Sequence, residues 1–318
     1  MFKRKKICVV IPAYNEEKLI GRVIKTMPRF VDLIIIVDDK SKDKTIIAAK
    51  DAAKKYKRKL DVVVHEKNQG VGAAIVTGYK HSVERKMDVV AVMAGDAQMN
   101  PDELKDIIAP IVLNEADYVK GNRLIHGQAW RMIPKVRYLG NSVLSLLTKI
   151  TSGYWHVADS QTGYTAISQA MIKKIELDNL YKRYGFPNDI LIHLNIHYAR
   201  VKEIPIKPIY HVGEKSGIRL WKVIPTISWL LTRRFFWRLK RKYIIDNFHP
   251  LVFFYLFAVV LVIASLFLLF RLLNLYLDTH RIPPINALAL VFCLVMSGQF
   301  GFFAMWLDMD DNRELRVK

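Results

Sequence analysis

The chain has 318 residues, enough for one large domain or two smaller ones, and 52% of them are apolar. Its formal net charge of +20 at pH 7 points to an anionic partner, either nucleic acid or an anionic membrane face. The two cysteines, Cys8 and Cys293, exclude a disulfide framework and a cysteine-built metal cluster, and fit a reducing cytosolic face.

Behind the basic N-terminus, the apolar run Ile7 to Ile11 reads as a buried strand. Pro12 and Asn15-Glu16-Glu17 interrupt it, which is too short a run for a signal peptide. Leu19, Ile20, Val23, Ile24 and Met27 recur at helical spacing and predict a helix over Glu16 to Met27, stopped by Pro28. Leu33 to Val37 is a second strand, followed by the polar loop Asp38 to Asp43 and a helix from about Thr45 to Tyr56. Leu60 to Val64 is a third, with the loop Asn68 to Gly72 and a helix over Ala73 to Val83. Val89 to Met93 is a fourth; it runs into Ala94-Gly95-Asp96-Ala97-Gln98, and Pro101-Asp102-Glu103 opens the next helix. Asp117 to Lys120 reads as a strand, and Glu203 to Tyr210, with its prolines, as a strand at a sheet edge.

Strand–helix alternation with short loops predicts an α/β fold, a mostly parallel sheet with helices on both faces. Ligands of such sheets bind outside the carboxyl ends of the strands. The loops Tyr14–Glu16, Asp38–Asp43, Asn68–Gly72 and Asp96–Gln98 all follow strands and converge on that rim. Asp96 and Gln98 stand two apart, and in extended chain such residues point the same way. Their oxygens suit a hard cation, against the plainer alternative of a turn and a helix cap. Gly70-Val71-Gly72 opens a helix after a strand, but Ile75 stands where a dinucleotide fingerprint has its third glycine, so a packing role is expected. His193 and His197 form an i, i+4 pair without the glutamate of the zinc-protease pattern and read as structural.

The basic excess lies largely in Lys3-Arg4-Lys5-Lys6 and between Arg219 and Lys242. Ile218 to Tyr243 interleaves Trp and Phe with Lys222, Arg233, Arg234, Arg238, Lys240, Arg241 and Lys242, as an interfacial helix does. Nucleic acid binding uses a similar mixture, but the apolar runs that follow favour a membrane. Leu251 to Phe270 carries no charge and is long enough to cross a bilayer, and Ile285 to Leu307 is a second such span. Ser297-Gly298-Gln299 and Gly301 are expected to pack toward the first span. Lys240-Arg241-Lys242 outnumber Arg271 and Arg281 in the connecting loop, which places both termini on the cytoplasmic side.

Several motifs, in this order, resemble those of a family 2 glycosyltransferase with the Rossmann-like GT-A fold. They are Val10-Ile11-Pro12-Ala13-Tyr14-Asn15-Glu16, Val37-Asp38-Asp39-Lys40-Ser41-Lys42-Asp43-Lys44-Thr45, Asn68-Gln69-Gly70 and Asp96-Ala97-Gln98. Gly121-Asn122-Arg123, Asp159-Ser160-Gln161-Thr162-Gly163-Tyr164 and Asn188-Asp189 continue the series, so that the likeness covers roughly residues 7 to 245. Within the family the chain is similar to the polyprenyl-phosphate sugar transferases, such as dolichyl-phosphate mannose and glucose synthases.

The resemblance implies a catalytic domain over residues 1–212, amphipathic juxtamembrane helices over 213–247, and a two-helix anchor with a short cytoplasmic tail over 248–318. Pro12, Ala13, Tyr14 and Glu16 would floor the nucleotide site, with Val37, Asn68 and Gly95 beside them. Asp39 would read the nucleoside through its acceptor oxygens. For Asp38 a turn or helix cap is an even alternative. Lys40 stands where relatives carry glycine. Asp96 and Gln98 would hold Mg²⁺ or Mn²⁺ against the diphosphate, and Ala94 replaces the first acidic residue of the usual Asp-x-Asp. Arg123 would add a positive contact to the phosphates. Asp159, Gln161 and Gly163 would line the sugar and acceptor pocket. Asp189 would act as general base, or only position groups if the acceptor is an already ionised lipid phosphate. Lys215 or Arg219 would close over the phosphates, Arg219 being favoured.

The expected reaction moves a hexose, with inversion, from GDP-mannose or a UDP-hexose to polyprenyl or dolichyl phosphate. The product is a lipid-linked donor for later glycosylation. Self-association is left open, and no nucleic acid partner is expected. One rival is a processive or hydroxyl-acceptor polysaccharide transferase, whose Gln-x-x-Arg-Trp motif Gln128-Ala129-Trp130-Arg131 does not match. Another is a catalytically silent membrane scaffold that binds nucleotides or lipids.

Overall fold

The computed structural model describes residues 2–127, 129–209 and 220–317. Its first half alternates β1 (Ile7–Ala13), α1 (Ile20–Thr26), β2 (Leu33–Asp38), α2 (Thr45–Lys55), β3 (Leu60–Val64), α3 (Val71–Glu84), β4 (Val89–Val92) and α4 (Leu104–Val112). There follow β5 (Tyr118–Asn122), α5 (Ala129–Met132), α6 (Lys135–Ser152), β6 (Thr165–Ser168), α7 (Gln169–Lys174), α8 (Phe186–Ile196), β7 (Val201–Pro205), α9 (Leu220–Lys240), α10 (Leu251–Thr279) and α11 (Pro284–Asp311).

The seven strands form one sheet in the order β3-β2-β1-β4-β6-β5-β7. Strands β1 to β4 are mutually parallel, as expected. Strand β6 runs antiparallel to both β4 and β5, and β7 pairs in parallel with β5. The antiparallel strand, only Thr-Ala-Ile-Ser, is too short to show a period in the sequence. Its direction matters. Thr165 pairs with Val92 and Lys120, so the loop entering β6 arrives at the rim where β4 and β5 end.

Alternation along β1 divides the core. Ile7, Val9 and Ile11 pack with residues of α1, α2 and α4 on one face. Cys8 and Val10 pack with residues of α3, α7 and α8 on the other. Each fully buried Val or Ile side chain contributes about 1.5–3 kcal/mol relative to exposure, which fixes the strand's register. Helix α1 begins at Ile20 rather than Glu16, because Glu16 N–H is drawn to Thr45 Oγ1 at 2.8 Å and residues 16–19 form a turn.

The chain divides into two compact units, one formed by residues up to Phe235 together with those from Glu314 on, the other by Phe236 to Arg313. The boundary between these units falls inside α9. Residues from Glu314 on belong to the first unit: Leu315 joins the core, and Val317 N–H donates to Val201 O at 3.3 Å on the edge of β7.

In the second unit α10 and α11 are long and apolar enough to cross a membrane, by length and composition. Arg271 lies within α10, since no glycine or proline breaks that helix before His280. The packing face of α11 is Ser297, Gly301 and Ala304, at spacings of four and three. A Cβ on Gly301 would lie 3.9 Å from Ala258 Cβ, whereas Gly298 meets nothing within 4 Å and Gln299 is exposed. Two of the basic residues expected to face lipid are turned inward here. Arg238 pairs with Asp308 at 2.9 Å, both fully buried, and Lys242 Nζ donates to Asn312 Oδ1 at 2.6 Å and lies 2.9 Å from Asp311. Buried charges persist only when paired, which explains why these two cannot serve a membrane surface.

Candidate active site

Strand-end loops converge on one rim of the first unit, and backbone and side-chain bonds lock them together. Asn15 N–H donates to Ser41 Oγ at 2.9 Å and Lys42 N–H returns a bond to Asn15 Oδ1 at 2.8 Å, joining the loops after β1 and β2. Asp38 is a turn residue, accepting from Ser41 N–H at 3.0 Å, as its plainer alternative held. Lys40 has φ 64°, the left-handed conformation that glycine adopts at least cost.

Asp39 ties in the third loop. Its Oδ1 accepts from Gln69 N–H at 2.8 Å and its Oδ2 from Gly70 N–H at 2.7 Å. His65 Nδ1 lies 2.8 Å from Oδ1, and His65 Nε2 lies 2.9 Å from Thr77 Oγ1. With 4% exposure, this carboxylate shapes the loop that holds Asn68, and Asn68 Nδ2 donates to Asp39 O at 3.2 Å. Tyr14 is exposed on the rim, while Val37 and Ala13 are buried in the apolar core. The Val37 side chain is therefore turned away from any ligand at the rim. His65 gave no signal in the sequence, since its partners are 26 and 12 residues away.

The fourth loop departs from expectation in shape. Ala97 has φ 57°, so the chain between Asp96 and Gln98 is not extended. Gln98 N–H turns back to Asp96 Oδ1 at 3.1 Å, and the rule that placed both side chains on one side does not apply. Gly95 is close-packed: a Cβ there would lie 3.3 Å from Glu16 Cγ. Burial, with Asp96 and Asp43 nearby, pushes the Glu16 carboxyl up to about 7. This crowding of carboxylates is the environment that a divalent cation relieves, so the residues present fit Mg²⁺ or Mn²⁺. Among the described residues no group of three His, Cys, Asp or Glu side chains could enclose a metal. Asp96, with Gln98 beside it, would hold the ion together with oxygens of the ligand and water.

Across β4 the rim continues into the loops that precede β6 and follow β5. Tyr164 OH donates to Asn100 O at 3.0 Å, and a Cβ on Gly163 would lie 3.4 Å from Met99 Cε, so residues 159–164 border the Asp96 loop. Arg123 grips Asp159 with two bonds, Nε to Oδ2 at 2.8 Å and Nη2 to Oδ1 at 3.1 Å. Burial opposes ionisation of Asp159, but the guanidinium outweighs it and holds the carboxyl below its ordinary range. Gln161 Nε2 donates to Asn188 Oδ1 at 2.5 Å, and Thr148 Oγ1 of α6 donates to the same oxygen at 3.0 Å. Ser145 Oγ of α6 accepts from Ser160 N–H at 3.0 Å.

Asp189 is fully buried in α8. Its Oδ1 lies 2.6 Å from Arg234 Nε of α9, and its Oδ2 accepts from Tyr181 N–H at 2.8 Å. Burial raises its carboxyl above the ordinary value despite Arg234. His193 is buried beside it; burial, then Arg234 and His197, push its imidazole down to about 3, so it is neutral, as a structural histidine should be. Lys215, Arg219 and Gln128 lie outside the described residues.

Residues 8–176, more than half of the chain, match the family model described as glycosyl transferase family 2. The chain is 35% identical over 218 residues to the UDP-N-acetylglucosamine–dolichyl-phosphate N-acetylglucosaminyltransferase of Methanococcus voltae, covering 65% of this chain and 86% of that protein. It is 29% identical over 243 residues to the undecaprenyl-phosphate mannosyltransferase of Micrococcus luteus, covering 72% and 96%. Among solved structures, the glucosyl-3-phosphoglycerate synthase of Mycobacterium tuberculosis, in complex with Mn²⁺, UDP-glucose and phosphoglyceric acid, shares the fold. Its TM-score is 0.55 at 20% identity, over 74% of this chain and 80% of that one.

Proposed function

This chain belongs to glycosyl transferase family 2 and is a nucleotide-sugar-dependent glycosyltransferase, and we propose that its acceptor is a polyprenyl phosphate held at a membrane surface. The carrying observation is the state of Asp189. The carboxylate best placed by family resemblance to be a base is fully buried and occupied by Arg234 and Tyr181 N–H. A sugar hydroxyl needs a base within reach. A phosphate monoester, with a second pKa near 6, brings its own anionic oxygen at neutral pH. That oxygen attacks the anomeric carbon from the face opposite the diphosphate. The new C–O bond forms as the old one breaks, and the electron pair leaves with the nucleoside diphosphate, inverting the centre.

Tyr14, Asn68 and the loop strapped by Asp39 would seat the nucleoside, and Arg123, oriented by Asp159, would face phosphate oxygens. Bound Mg²⁺ or Mn²⁺ at Asp96 would supply Lewis-acid stabilisation of the departing diphosphate. Gln161 and Gly163 would border the sugar and acceptor. The names of the Methanococcus and Micrococcus relatives support a lipid phosphate acceptor. So does α6, whose inner face anchors Ser160 while Leu139, Val143, Leu146 and Leu147 stand exposed at helical spacing. Trp229, Arg233, Phe236 and Lys240 repeat the interfacial pattern on α9. With α10 and α11 as spans, the basic residues Lys240 and Arg241 support a cytoplasmic active site and cytoplasmic termini.

A second reading, transfer to a hydroxyl acceptor, is favoured by the likeness to the phosphoglycerate-glucosylating enzyme and by the raised Asp189 carboxyl. A side-by-side assay separates the two. Purified full chain in nanodiscs, with Mn²⁺ and a panel of radiolabelled nucleotide sugars, should label polyprenyl phosphate. Label transferred to phosphoglycerate or oligosaccharide instead, with none in the lipid, would replace the first reading by the second.

A further inference from the structure

Glu203, on edge strand β7, carries hydrogen bonds to the backbone of Asp159 and to the side chain of Asn122, the chain neighbour of Arg123. The parallel register of β5 and β7 sets it beside Lys120. Its Oε1 accepts from two consecutive backbone groups, Ala158 N–H at 2.9 Å and Asp159 N–H at 3.0 Å. Its Oε2 accepts from Asn122 Nδ2 at 2.7 Å. The other side of Asn122 continues the relay: its Oδ1 accepts from Leu124 N–H at 2.9 Å and Ile125 N–H at 3.2 Å, which folds the turn that contains Arg123. Asp159 then accepts from Arg123 through backbone N–H at 3.1 Å and through the guanidinium.

We propose that Glu203 is a positioning residue of the transfer reaction, aiming Arg123 at phosphate oxygens by fixing the turn after β5 and the loop that carries Asp159. The inference rests on the reading of Arg123 as a phosphate contact. An edge strand could carry a solvated glutamate at no structural cost, yet this one is partly buried and meets three N–H donors. Lys120 completes the group. It is fully buried, and its Nζ donates to Thr162 O at 2.7 Å, in the same loop as Asp159. The four charges of Lys120, Arg123, Asp159 and Glu203 sum to zero, the condition under which buried ions hold geometry rather than unfold it. Reaction rates are sensitive to such geometry, since displacing a substrate-positioning arginine by about 1 Å costs on the order of 10²-fold. One carboxylate thus sets both the backbone at Arg123 and the partner that orients its side chain.

The test is a double-mutant cycle in the full chain, in nanodiscs, between Glu203→Ala and Arg123→Ala. Glu203→Ala should lower kcat about 10-fold or more with donor KM little changed, and should cost under about 2-fold when Arg123 is already alanine. Equal losses in both backgrounds, or no loss in the parent, would overturn the proposal. Glu203→Gln keeps an acceptor for the two loop N–H groups and should recover most of the lost kcat. If Glu203→Ala does not fold, the cycle is run with Glu203→Asp, whose shorter side chain withdraws the carboxylate from the two loop N–H groups while keeping its charge; the same non-additivity is expected and additivity overturns the idea. The cycle is also read on hydrolysis of the nucleotide sugar by water, which needs no acceptor. Absence of lipid-linked product with an intact cycle therefore faults only the acceptor assignment.

Discussion

Arg234 Nε of α9 stands 2.6 Å from Asp189 Oδ1 of α8, and Arg234 Nη2 also donates to Asn179 O at 2.6 Å. Within the first unit, the part of α9 that carries Arg234 is thus tied to α8 through the carboxylate that family resemblance marks as a base. Breaking a buried pair from one side leaves an uncompensated charge. Arg234→Ala should therefore destabilise the first unit by about 3–5 kcal/mol, while removing both charges together should be close to neutral. Chemical denaturation of Arg234→Ala beside the double variant Asp189→Asn, Arg234→Gln measures this; equal losses in the two would mean the charges are not coupled.

Glu16 gives the fold a pH dependence. Its carboxyl lies near 7 in the folded protein against an ordinary 4.5, raised by burial and by Asp96 and Asp43. Between those values the folded state holds the proton more tightly than the unfolded state, so this group's contribution to stability falls as pH rises through that window. Thermal denaturation without metal from pH 4.5 to 7 should show a downward component that Glu16→Gln removes. Adding Mn²⁺ with a nucleoside diphosphate should offset it most at the upper end, where the carboxylate crowding is greatest.

Asp96→Ala should cut turnover by about 10²–10³-fold, the scale of losing one key electrostatic group, with the melting temperature little altered. Steady-state kinetics with Mn²⁺ at saturating donor checks it. Unchanged turnover would remove Asp96 from the diphosphate site.

At Lys40, φ 64° costs an L side chain roughly 1–2 kcal/mol. Lys40→Gly should leave stability unchanged or raise it by up to about 1 kcal/mol after the entropy gained by the unfolded chain, whereas Lys40→Val should lower it. Denaturant midpoints of the two variants decide; a stabilised valine variant would contradict the assigned turn.

Legibility in the sequence followed the range of the interactions. Strands β1 to β4 and the rim loops after them are written locally, as apolar runs broken within β3 only by Asp61 and followed by polar loops, and they stand where expected. Chain features set by distant partners were not legible. Strand β6 is four residues long and owes its direction to pairing with β4 and β5. Glu203 reads as an ordinary edge residue until Ala158, Asp159 and Asn122 are brought to it from 45, 44 and 81 positions away. Arg238 reads as a lipid-facing cation, and only the fold supplies Asp308, 70 residues on. In the Asp96 loop the error was local. The left-handed Ala97 reverses the chain where extended geometry was assumed, and alanine gives no warning of it.

The claim that the acceptor brings its own nucleophilic oxygen is tested most directly by the pH–rate profile for sugar transfer to polyprenyl phosphate. The profile is taken in the parent chain and in the double variant Asp189→Asn, Arg234→Gln. The account predicts an acid limb near pH 6, set by the second ionisation of the phosphate, in both proteins, with rates within about 10-fold of each other. Loss of that limb in the double variant, with a fall of about 10³-fold or more, would show Asp189 acting as the base and contradict the account.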